Sequence, residues 1–143
     1  MSAEQTLAFV DTNVFLYAYD VEAGARHERA ARLIGDLGVR RQGALSVQVL
    51  QEFFVNATRK IAQPLTHTAA LDRVRVLSRW PLHVARPHDV IAAADLAEAS
   101  QVSFWDAMIL RSAAALGCAT LWSEDLNDGQ VVAGVTVRNP FRG

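Results

Sequence analysis

At 143 residues, with 51% hydrophobic residues and no low-complexity tract, the chain reads as a single globular domain spanning 1–143. A chain of that size buries about 68–70% of its unfolded surface, enough for a self-sufficient core. Its net charge of −1 excludes a molecule that gathers nucleic acid by bulk charge, so any such contact must come from a local patch.

Leu7-Ala8-Phe9-Val10 is a short apolar run ending at Asp11-Thr12-Asn13, which predicts a buried strand and then a helix capped by Thr12 or Asn13. Val14 to Tyr19 forms that short helix. A second helix is expected from Ala25 to Leu37, closed by Gly38. Gly43 to Ser46 reads as a strand and Val47 to Lys60 as a helix, with Val47, Leu50, Phe54 and Ala57 on its apolar stripe and Glu52 off it. Pro64 and Pro81 bracket a helix over about Thr66 to Arg79, and Leu82-His83-Val84 makes a third strand. His88-Asp89 caps a helix running to Ser100. Ser103-Phe104-Trp105-Asp106 opens another that reaches Leu116 and closes at Gly117. Ala119 to Trp122 is a fourth strand and Val135 to Val137 a short fifth. Strands alternating with helices predict a three-layer α/β/α domain around a parallel sheet of four or five strands.

Cys118, the single cysteine, lies in an apolar stretch and reads as a buried structural thiol in a reducing compartment. The start of the chain, with Glu4 leading into Leu7, shows no basic leader, and the longest apolar stretches are broken by charge, as at Arg111. A cytoplasmic protein with no membrane association is the expectation. The basic residues include one lysine, Lys60; the arginine excess suits phosphate binding but reads first as compositional bias. His27, His67, His83 and His88 are scattered and read as surface or capping residues.

Parallel α/β sheets bind ligands at the carboxyl ends of their strands. Asp11 follows strand one, Asp125 follows strand four, and Asp106 opens a helix, while Glu52 lies on a helix between them. Each acid alone is an ordinary cap or turn residue; together they point to one acidic cleft. Two charges about 4 Å apart cost on the order of 4 kcal/mol at an effective dielectric near 20, so such a cleft calls for cations. All-oxygen donors favour Mg²⁺ or Mn²⁺ over zinc. Other motifs fail: Asp125-Leu126-Asn127-Asp128-Gly129 has glycine at the fifth position of a calcium loop and no glutamate at the twelfth. No phosphate-cradling glycine loop is present. Ser46, Ser103 and Ser123 lack a histidine relay in sequence.

Four pieces in order carry a wider likeness: Val10-Asp11-Thr12-Asn13-Val14; Leu45-Ser46 leading to Gln51-Glu52-Phe53; Ser103-Phe104-Trp105-Asp106-Ala107; and Leu121-Trp122-Ser123-Glu124-Asp125-Leu126. On these the chain resembles the PIN-domain nucleases, specifically the VapC-like toxins of bacterial type II toxin–antitoxin modules. The resemblance implies a Mg²⁺- or Mn²⁺-dependent endoribonuclease, a homodimer silenced by a cognate antitoxin from an adjacent gene. It matches Asp11, Glu52, Asp106 and Asp125 to the family's acidic quartet, Asp128 to an additional metal-site acid, and Asn13 and Ser123 to supporting residues.

Asp11 and Asp106 are the expected direct ligands, with Asn13 holding Asp11 or a ligand water. Arg111 and Trp105 are candidates for substrate contact, although the apolar neighbours of Trp105 favour core packing. Arg26, Arg29 and Arg32 make one helical side basic and read as a solvated face. Rival classes are a metal-dependent phosphatase, disfavoured by the missing second aspartate after Asp11, a housekeeping RNA-processing nuclease, and a non-catalytic binding module, which has no need to gather carboxylates.

Overall fold

A computed structural model describes residues 6–142; Glu4 and the rest of the opening segment lie outside the described residues. The elements run β1 (Ala8–Val10), α1 (Thr12–Tyr19), α2 (Ala25–Arg40), β2 (Gly43–Ser46), α3 (Val47–Ala57), α4 (His67–Leu77), β3 (Leu82–His83), α5 (Pro87–Ser100), α6 (Phe104–Ala115), β4 (Thr120–Trp122), β5 (Val131–Val132) and β6 (Val135–Arg138). One sheet holds the strands in the order β3-β2-β1-β4-β6-β5. Five strands are parallel, as expected, and β5 is added antiparallel at the edge.

The central strands show why the sheet needs cover on both faces. All four residues of β2 are buried, and α2 and α6 both pack against it. Phe9, Phe15, Leu45, Phe53, Leu110 and Leu121 are fully enclosed and form the centre of the core. In this topology β1 lies between β2 and β4, so the ends of β1 and β4 are neighbours, with Val10 level with Trp122. That register brings Asp11 beside Ser123.

Several local expectations shift. α1 is capped by Asp11, whose side chain accepts from the Thr12 N–H, and not by Thr12 or Asn13. α2 runs through Gly38 to Arg40 and closes on Arg41 in the left-handed region at φ 57°. Gly38 lies inside the helix, where a Cβ would meet the Trp80 ring at 3.6 Å, an ordinary contact. The buried residues of α3 are Val49, Phe53 and Ala57; of the predicted stripe Ala57 is buried, and Val47, Leu50 and Phe54 are half-buried. α5 begins after Arg86, and Asp89 is inside its first turn, where it accepts from the Arg86 N–H at 2.9 Å. His83 is buried, 2.8 Å from Ser112 Oγ and 3.3 Å from Asp89, because β3 runs beneath α6; it is no surface residue. Among the described residues no helix is long and apolar enough to cross a membrane.

Trp80 ties the α2–β2 side together: its ring lies 5.7 Å from that of Phe15 and covers Gly43. A Cβ on Gly43 would run into the Trp80 ring. Gly43→Ala should therefore force Trp80 out of place and cost about 1–3 kcal/mol; a urea midpoint equal to that of the parent would contradict this packing.

Candidate active site

Asp11 leaves the end of β1 with its N–H on the Trp122 carbonyl, 3.0 Å away, which fixes its backbone to β4. One carboxylate oxygen accepts from the Thr12 N–H at 2.7 Å and the other from the Ser123 hydroxyl at 2.9 Å. Only 7% of Asp11 is exposed. Thr12 and Asn13, released from capping, take other tasks. Thr12 Oγ1 donates to Glu52 at 2.7 Å, and Asn13 Nδ2 donates to Asp125 at 3.2 Å. Ser123 Oγ also accepts from the Asp125 N–H at 3.2 Å, so one buried hydroxyl joins two of the acids.

Asp106 arrives from the other side, in the first turn of α6. Its N–H is taken by the cap residue Ser103, and its carboxylate has no hydrogen-bond partner among the described residues. Asp11, Glu52, Asp106 and Asp125 line one cleft of about 210 Å³. Two larger grooves, about 440 and 520 Å³, run along Trp80 and carry no carboxylate, and two others, about 290 and 490 Å³, carry one each, Asp20 and Asp36. The four expected acids come together in the smallest of these cavities.

The other predicted residues divide. Trp105 is 63% exposed and stands on the cleft wall, not in the core; the buried side of α6 begins at Ala107 and Met108. Arg111 is turned away, with Nε 2.8 Å from the buried Asp89, and is not among the cleft residues. Asp128 is also outside the lining, because its Oδ1 accepts from the Asn139 N–H at 2.8 Å. Asn13 supports Asp125, while Ser123 supports Asp11.

Sequence reasoning missed three participants. Gln48, one turn before Glu52 on α3, donates to it at 3.4 Å, and its buried Oε1 has no partner. The i,i+4 spacing was the available signal. Arg26 is no idle member of a solvated face. It grips Glu124 through two nitrogens, at 2.9 and 2.7 Å, and its guanidinium lies 5.7 Å from the Tyr17 ring centre and 5.4 Å from that of Phe141. Tyr17 donates to the same Glu124 at 3.0 Å. The residue between Ser123 and Asp125 is thus anchored from α1 and α2.

Electrostatics follow from this geometry. Burial raises the Asp11 carboxyl to about 6, against the hydrogen bonds from Thr12 and Ser123, with the charges of Asp125 and Asp106 adding to the rise. Asp125 is also raised, first by burial, then by the charges of Asp106 and Glu124. The donor set suits a hard cation: every cleft acid is an oxygen donor, and Gln48 Oε1 is a buried acceptor in want of a partner. Among the described residues no three acids converge as they stand. Such spacing fits an ion that keeps several waters and takes one or two carboxylates, as Mg²⁺ does.

The PIN domain family model matches residues 8–130. The chain belongs to the PIN-domain family. A search by sequence among curated proteins finds no match. Among solved structures it resembles a toxin–antitoxin complex from Klebsiella pneumoniae, at 20% identity and TM-score 0.68, over 94% of this chain and 98% of that one. It also resembles VapC20 of Mycobacterium tuberculosis, a sarcin–ricin loop cleaving toxin, at 22% identity and TM-score 0.64, over 82% and 89% of the two chains. DNA-bound VapBC of Salmonella typhimurium aligns at 17% identity and TM-score 0.65, over 94% and 98%. These likenesses show that the PIN fold extends over nearly the whole chain.

The raised Asp11 carboxyl has a consequence for stability. Below about pH 3 it is protonated in both folded and unfolded chains and contributes almost nothing. Between its ordinary 3.8 and about 6 the unfolded chain loses the proton first, so stability falls as pH rises. Above about 6 the full penalty is present, on the order of 3 kcal/mol. In metal-free buffer Asp11→Asn should be more stable than the parent at pH 7.5, by up to about that amount, and show almost none of this gain at about pH 3. Denaturant melts at the two pH values check this, and a variant less stable at pH 7.5 would contradict it.

Proposed function

We propose that this PIN domain, residues 1–143, is a Mg²⁺- or Mn²⁺-dependent endoribonuclease acting as the toxin of a type II toxin–antitoxin pair. The observation that carries the reading is the gathering of Asp11, Glu52, Asp106 and Asp125 in one cleft, with no cation among its lining residues. Several ionised carboxylates share a cleft at high energetic cost unless a cation joins them, and here burial leaves Asp11 little water to screen it. The solved structures described above include a toxin and toxin–antitoxin complexes, which supports an antitoxin partner; a cytoplasmic homodimer belongs to the same proposal.

Asp11 and Asp106 would hold the ion, with Glu52 and Asp125 bound directly or through its waters. A bound ion supplies an acidified water and neutralises charge developing on the scissile phosphate. The chain itself supplies order. Ser123 and the Thr12 N–H fix both oxygens of Asp11, Thr12 Oγ1 and Gln48 fix Glu52, and Asn13 fixes Asp125. Such supporting hydrogen bonds orient acidic ligands and hold them ionised. Asp106 has no such support, which leaves it free to adjust to what binds. Trp105, exposed on the wall, presents a face on which an unpaired base can stack, a contact worth about 1–3 kcal/mol. Asp128 and Arg111 have no part in this reading, since each is engaged elsewhere.

Expression of the chain with and without its neighbouring gene, followed by mapping of RNA 5′ ends, tests the proposal. New ends should appear with Mg²⁺, vanish with EDTA or with the antitoxin, and be absent for Asp11→Asn at equal folded yield. Identical ends under all conditions would overturn it. Trp105→Ala should lower kcat/KM by about tenfold or more. Arg111→Ala should instead lower the melting temperature by removing the guanidinium partner of the buried Asp89, with cleavage within a few-fold of the parent. The reverse pattern in paired melting and cleavage assays would reassign the substrate contact.

A further inference from the structure

The polar residues of α3 continue past the acid cleft in a regular line. Gln48, Glu52, Asn56 and Lys60 recur at every fourth position. α3 itself ends at Ala57, but the Lys60 N–H still donates to the Asn56 carbonyl at 2.7 Å, so the helical alignment reaches Lys60. The first three line the acid cleft. Asn56 and Lys60 line a second cavity of about 290 Å³, which shares Asn13 and Asn56 with the first. The two cavities thus meet along one helix face, and at 1.5 Å per residue Lys60 lies roughly 12 Å from Glu52 along the axis.

The charges along this line are uneven. Lys60 is the single lysine of the chain and the one cation lining either cavity. Among the described residues neither its ammonium nor the Asn56 amide has a hydrogen-bond or ion-pair partner. Asp20, the carboxylate of the second cavity, is engaged in capping the turn after α1, where it accepts from the Glu22 N–H at 3.3 Å. An uncommitted donor pair at the end of an acidic trough is the arrangement that an anion joined to the reacting group would meet. A strand of RNA offers that anion, a phosphate flanking the one to be cleaved.

We infer that Asn56 and Lys60 form a subsite for a flanking phosphodiester of single-stranded RNA, which sets the register of the strand across the acid cleft. This rests on the ribonuclease reading above. Lys60 carries the charge contact, and the Asn56 amide donates to phosphate or to the adjacent sugar. The subsite balances a trough that is otherwise wholly anionic, at the end away from the metal-binding acids.

The test uses the full chain carrying Asp106→Asn, so that RNA is bound without being consumed, and a fluorescein-labelled pool of random single-stranded oligoribonucleotides. Binding is followed by anisotropy in Mg²⁺ buffer between about 50 and 200 mM salt. Adding Lys60→Gln should weaken binding about tenfold and flatten the slope of log K against log salt by about 0.7, the value for one phosphate on a single strand. Lys60→Arg should keep most of the affinity. Arg59→Gln, which removes the same charge from a residue outside both cavities, should have a clearly smaller effect. Unchanged affinity and slope in Lys60→Gln, or an equal loss in Arg59→Gln, would overturn the subsite while leaving the nuclease standing. A parent that binds none of the pool, together with an unmutated chain that cuts no RNA, would overturn both.

Discussion

The hydrogen bond from the buried Ser123 hydroxyl to Asp11 is the contact on which the cleft depends. A carboxylate that is only 7% exposed is costly to ionise, and it is tolerable because both its oxygens are held, one by Ser123 and one by the Thr12 N–H. The parallel pairing of β1 with β4 makes this possible, since it sets the two strand ends level. Ser123 Oγ then accepts from the Asp125 N–H, so the position of one acid constrains that of the next. The sheet register is therefore transmitted to the spacing of the carboxylates through a single oxygen atom.

Capping by Asp11 has a second effect. Had Thr12 or Asn13 capped α1, its side chain would be spent on a backbone N–H. With Asp11 in that role, both are free to reach across to Glu52 and Asp125. The positive end of the α1 dipole also faces the acid that suffers most from burial, which favours its charged form. Beyond this layer, Arg26 and Tyr17 take up the charge and the second oxygen of Glu124, keeping a surplus anion next to Asp125 from standing unpaired.

What could be read from the sequence was what local chemistry specifies. β1 and β2 are apolar runs with abrupt polar ends, and α6 opens on a serine cap, so Asp11 and Asp106 could be located from neighbouring residues alone. The losses came where a residue answers to a distant partner. Gly38 reads as a helix stop, yet α2 runs through it and Arg41 takes the left-handed turn instead. β5 escaped because its hairpin turns on Ala133-Gly134, with Ala133 at φ 53° where Asn or Asp is the usual signal. Asp128 sits in a promising acidic run but is claimed by Asn139, and Arg111 by Asp89, contacts that only the folded chain creates. Trp105 looked apolar by its neighbours because α6 turns its buried side elsewhere.

An acidic cleft on a chain of net charge −1 also limits how a polyanion could approach it. Long-range steering is weak when neither the whole molecule nor the cavity presents positive potential, and at physiological salt charges act over only about 8 Å. On the proposed reading, discrimination would come from contacts made after encounter: cations brought into the carboxylate cluster, a base laid on Trp105, and donors at the far end of the α3 stripe. Stacking and backbone contacts of this kind require bases that are already unpaired, because an A-form duplex keeps its base faces stacked inside. On the proposed ribonuclease reading, a cavity of about 210 Å³ bordered by one exposed indole suits a loop or a free strand better than a helix, and selectivity would rest on local shape more than on charge.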